Sequence, residues 1–127
     1  MDNILIFQRS QPNLTLLVDS LSSNFNVIEG MDEASISKDF DLCMVDTHFF
    51  NKFRSLLRLR KISEAPLYLP VILLVRGNAV PQIKPEVWQD VDDIISIPIN
   101  QHELNARINV LLRARNQSRE IEQLKES

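Results

Sequence analysis

The sequence predicts an α/β fold, a parallel sheet covered by helices on both faces. Three observations carry this. Short runs such as residues 3–7 and 70–75 are almost continuously apolar, the signature of strands buried on both sides. The stretches between them repeat apolar residues at helical spacing. The length of 127 residues, with 44% apolar and 24% charged residues, is that of one ordinary globular domain.

The elements follow in order. Residues 3–7 give the first strand. Pro12 falls in a first helical turn, where its missing N–H is tolerated. Leu14, Leu17, Val18, Leu21 and Phe25 then mark one face of a helix ending near Asn24. Residues 26–29 form a second strand closed by Gly30, and residues 32–37 a short helix. Residues 40–45 form the third strand. Phe50, Phe53, Leu56, Leu57 and Leu59 define the next helix, whose other positions hold Lys52, Arg54, Arg58, Arg60 and Lys61. Residues 70–75 are the fourth strand and residues 94–97 the fifth, before Pro98. Between Val75 and Asp92 the fourth helix is short or irregular, because Pro81 and Pro85 both break helix interiors. Val80, Ile83, Val87 and Trp88 are expected to cover the sheet there. Residues 102–125 form the last helix.

Composition excludes several functions. Fourteen basic against 17 acidic residues leave a net charge of -3, a poor footprint for phosphate backbones, so a nucleic-acid partner is not expected. Two glycines leave no glycine-rich phosphate cradle. The lone Cys43 forms no internal disulfide or thiolate metal cluster and fits a reducing, cytoplasmic setting. No apolar run approaches the roughly 20 residues a bilayer requires, and the polar start Met1-Asp2-Asn3 does not read as a secretory signal.

Three segments, taken together in this order and spacing, resemble the receiver domain of two-component signalling. Phe40-Asp41-Leu42-Cys43-Met44-Val45-Asp46 resembles its third strand, which ends in the phosphoacceptor aspartate. Leu69-Pro70-Val71-Ile72-Leu73-Leu74 resembles its fourth. Val91-Asp92-Asp93-Ile94-Ile95-Ser96-Ile97-Pro98-Ile99 resembles its fifth and the turn that normally carries Lys-Pro, and 102–108 fits its last helix. The resemblance covers residues 3 to about 115. It implies a flavodoxin-like (βα)5 sandwich with strand order 2-1-3-4-5 and a pocket at the carboxyl ends of the strands. In that family the pocket holds an acceptor aspartate, an acidic pair for Mg²⁺, a hydroxyl and a lysine.

Set against that pattern, Asp46 keeps the acceptor position and is the candidate phosphoacceptor. The acidic pair falls on Gln8 and Arg9, the hydroxyl on Val75 and the lysine on Ile97. Gln8 is a weak neutral ligand, Arg9 repels a dication, Val75 donates nothing and Ile97 carries no charge. The expectation is a pseudo-receiver: no metal, no cofactor and no catalytic residue, with signalling by protein–protein contact. The alternative is an atypical receiver phosphorylated on Asp46 in a phosphorelay. A flavodoxin-like enzyme is disfavoured because Gln8-Arg9-Ser10-Gln11-Pro12 replaces the phosphate loop.

Further expectations attach to single features. The Arg9 guanidinium is expected to take the metal's place and pair with Asp46. His48 is read as a loop histidine at the pocket mouth, His102 receives no role, and Cys43 behaves as a small buried hydrophobe. The basic helix is expected to present a solvated face, with an acidic protein as its partner if it has one. Val110, Ala114, Gln117, Ile121 and Leu124 follow a heptad spacing. Residues 1–115 are therefore read as the receiver-like domain. Residues 116–127 are read as a helical extension, the start of a coiled coil that pairs two copies or leads into an output domain.

Overall fold

The computed structural model describes residues 1–77, 79 and 83–126. In chain order it contains β1 (Asn3–Phe7), α1 (Gln11–Leu21), β2 (Asn26–Glu29), a 3₁₀ turn at Glu33–Ser37, β3 (Leu42–Asp46), α2 (Thr47–Glu64), β4 (Val71–Arg76), a 3₁₀ turn at Pro85–Gln89, β5 (Asp93–Ile97) and α3 (Gln101–Glu126). The strands form one sheet in the order β2-β1-β3-β4-β5. Every neighbouring pair is parallel.

Strand alternation divides the core in two. On one face Leu5, Phe7, Cys43, Val45, Leu73 and Val75 pack against Phe50, Phe53 and Leu57 of α2. On the other, Ile4, Ile6, Met44, Ile72 and Leu74 pack against Leu17 and Leu21 of α1 and Leu104 and Ile108 of α3. The 3₁₀ turns complete the α2 side, with Ile36 of the first buried there. Ile83 and Val87 pack there as expected. Trp88 does not: its side chain is half exposed, at 51%. Val80 and Pro81 lie outside the described residues.

Several polar contacts fix the crossovers. Asp92 and Asp93 are adjacent in sequence, so their side chains leave opposite faces of the sheet. Asp92 accepts from Lys61 of α2 and from the Val71 N–H, whereas Asp93 pairs with Arg107 of α3. The chain after β2 runs so close to β1 that a Cβ at Gly30 would lie 2.6 Å from the Phe7 ring, which glycine alone avoids.

The solvated face expected for the basic helix is corrected. Arg54 and Arg58 both bind Asp90. Arg60 binds Glu64 and lies over the Phe40 ring, and Lys61 binds Asp92. Four of the five cations thus tie α2 to the chain's own carboxylates, and Lys52 lies against Phe53. Glu64 is one turn on within α2, whereas Asp90 and Asp92 lie in the segment before β5, which sequence spacing does not bring near α2.

Candidate functional site

An open cleft of about 530 Å³ lies at the carboxyl ends of the strands. Gln8 and Arg9 follow β1, Asp46 ends β3, Val75 and Arg76 end β4, and Ile97 ends β5. All six line this cleft, so the five positions singled out from the sequence meet in one place. His48 lines it too, with its ring edge-on to Phe49 at 5.0 Å. His102 is exposed on α3 and does not line it.

Asp46 is the polar centre. It is 8% exposed and is the N-cap of α2. Its Oδ1 accepts the Phe49 N–H at 2.8 Å, which satisfies one of the donors that a helix start leaves unpaired. Its Oδ2 accepts the Arg9 N–H at 2.6 Å. Both oxygens are therefore engaged by backbone groups. This corrects the expected ion pair: the Arg9 backbone, not its guanidinium, meets Asp46. The Arg9 side chain is exposed, and a backbone amide fixed by the end of β1 reaches the carboxylate without ordering a long side chain.

Gln8 is nearly buried. Its Oε1 accepts the Ser10 N–H at 3.0 Å, while its Nε2 is buried and has no hydrogen-bond partner among the described residues. Val75 and Ile97 form an apolar wall. Arg76 was not singled out from the sequence. The signal was present, since it is the first charged residue after the apolar run of β4 and so falls at a strand's carboxyl end, where ligands of open α/β sheets gather.

No family model and no curated protein matches the chain. Solved structures do. NtrX from Brucella abortus superposes with a TM-score of 0.78 at 20% identity, covering 98% of this chain and 29% of that one. A response-regulator-receiver-modulated diguanylate cyclase from Pelobacter carbinolicus gives 0.74 at 22% identity, covering 94% and 99%. The fold is that of a response-regulator receiver domain. A streptococcal member of a family of redox sensors evolved from two-component response regulators shares this receiver fold, with a TM-score of 0.75 at 15% identity, covering 97% of this chain and 55% of that one. The chain therefore spans less than a third of the NtrX structure and about half of the streptococcal one.

A receiver fold implies Mg²⁺ beside the acceptor aspartate, and the residues here do not fit it. Mg²⁺ takes six oxygens in a strict octahedron, usually with carboxylates among them. Among the described residues lining the cleft, Asp46 is the sole carboxylate, and Arg9 and Arg76 add two positive charges. Among the described residues no group of three or more His, Cys, Asp or Glu converges anywhere in the chain.

Proposed function

We propose that this chain is a pseudo-receiver. It is a signalling module that works by docking another protein or a second copy of itself, without Mg²⁺-dependent phosphorylation of Asp46, and no residue of it is assigned a catalytic role. The observation that carries this reading is the engagement of Asp46. Its two oxygens hold the start of α2 and the end of β1 together, and its neighbours bring positive charge where a cation would be needed. A cytoplasmic setting accords with the lone buried cysteine.

The signal is proposed to leave along α3. Residues 1–115 form the receiver-like unit and 116–127 the extension, with Val110 and Ile121 exposed along the heptad line. This arrangement suits a coiled-coil seam between two copies or a helix entering an output domain. A redox role of the kind stated for the streptococcal relative is disfavoured. Cys43 is buried, and burial pushes its thiol up to about 12, far from the thiolate that redox chemistry uses.

A second reading has one observation in its favour. Asp46 stands at the carboxyl end of the central strand and lines the cleft, as an acceptor would. Incubation with acetyl phosphate and Mg²⁺ followed by intact-mass spectrometry separates the two readings. The pseudo-receiver stays at its unmodified mass; a stoichiometric phosphoryl adduct on Asp46 establishes the working receiver instead.

A further inference from the structure

The cleft over the sheet of this acidic chain is lined, among the described residues, by two arginines and one carboxylate. Arg9 and Arg76 line it, and among the described residues neither guanidinium has an ion pair, hydrogen bond or ring contact. Of the other arginines among the described residues, Arg54, Arg58, Arg60, Arg107, Arg115 and Arg119 are paired with the chain's own carboxylates, and Arg113, exposed on α3 away from the cleft, is not. The single opposing charge, Asp46, is already neutralised in part by two backbone N–H groups.

A second, independent feature points the same way. Gln8 lines the cleft, its orientation is set by the Ser10 N–H on Oε1, and Nε2 remains a buried donor without an acceptor. Buried donors left unpaired are rare because each forfeits its hydration. Nε2 has almost no accessible surface as it stands, so a ligand would supply the missing acceptor only after the Gln8 amide turns into the cleft.

We propose that this cleft binds an organic phosphate noncovalently. Arg9 and Arg76 would grip the phosphate oxygens as planar forks, Gln8 Nε2, turned into the cleft, would donate to one of them, and the ligand's organic body would lie on Leu74, Val75 and Ile97. A cleft of about 530 Å³ is larger than a bare ion needs and falls within the range of small-molecule sites. No bond is made or broken, and Asp46 acts only through the N–H groups it holds. The inference rests on the pseudo-receiver reading, because a seated Mg²⁺ and two guanidinium groups gripping phosphate from the same side are alternative occupants.

The test is an amide-shift titration of the full chain with phenyl phosphate and, separately, with inorganic phosphate. Phenyl phosphate is expected to shift the amides of residues 8–10, 46–48 and 75–76 saturably and to bind more tightly than inorganic phosphate. Arg9→Gln and Arg76→Gln are each expected to weaken it about tenfold, the loss of about 1.4 kcal/mol. Arg113→Gln, an exposed arginine on α3 away from the cleft, is expected to leave it unchanged. Absence of saturation, or saturation that survives both cleft substitutions, overturns the site. Equal affinity for the two probes overturns the organic body. Failure here without an Asp46 adduct in the acetyl phosphate experiment removes only the ligand, whereas an adduct removes the pseudo-receiver reading itself.

Discussion

Asp46 illustrates how one residue reads differently in sequence and in space. Its position at the end of an apolar strand marks it as an acceptor, yet its oxygens serve the backbone. Asp46→Ala should therefore destabilise the fold by roughly 1–2 kcal/mol, the usual cost of a lost N-cap, and urea unfolding would measure it. A residue kept only for chemistry would leave the midpoint unchanged. Asp90 makes a pH prediction. The Arg58 guanidinium first, and Arg54 second, hold its carboxyl at about 2, below the ordinary 3.8. A depressed carboxyl contributes stability that is complete above its unfolded value and lost as pH falls toward the folded one. The native chain should thus lose more stability than Asp90→Asn between about pH 4 and pH 2, as urea midpoints across that window would show. The Arg54–Asp90 and Arg58–Asp90 pairs were invisible in the sequence because the partners lie 36 and 32 residues apart.

At the scale of the element, α3 is held by more than its apolar face. Arg115 is 4% exposed and donates to Asp41, Glu64 and the Tyr68 carbonyl, while Ser118 Oγ accepts the Tyr68 N–H. Contacts with the body thus continue past residue 115 and into the segment proposed as an extension. Arg115→Ala leaves Glu64 to Arg60 and Asp41 to Arg119 and frees the Tyr68 carbonyl, and should cost about 2 kcal/mol in chemical unfolding. Farther out, Ile121 is exposed on the heptad line. If α3 pairs two copies, light scattering should show a dimer that Ile121→Glu converts to a monomer; a native chain that is monomeric at high concentration contradicts the pairing. The strands and α3 were legible because buried runs and helical spacing are strong patterns. The start of α2 was not: it begins at Thr47, directly after its cap, before the first apolar residue of the periodic face. The segment at Glu33–Ser37 is too short and serine-rich to sustain an α-helix and tightens into a 3₁₀ turn.

For the molecule as a whole, strand order and the meeting of Gln8, Arg9, Asp46, Val75 and Ile97 in one cleft follow from a topology that the sequence pattern already suggested. The charge arrangement did not. A net charge of -3 conceals the fact that Asp90 and Asp92, ahead of β5, take up Arg54, Arg58 and Lys61 of α2, while two unpaired arginines face a single carboxylate in the cleft. That arrangement is the physical basis for the proposal that the cation site is lost. The most direct measurement is an amide-shift titration of the native chain with Mg²⁺, alone and with beryllofluoride. The account predicts no saturable change at the amides of Arg9 and Phe49, the two groups that report on Asp46. Saturating shifts at both amides, lost in Asp46→Asn, would contradict it.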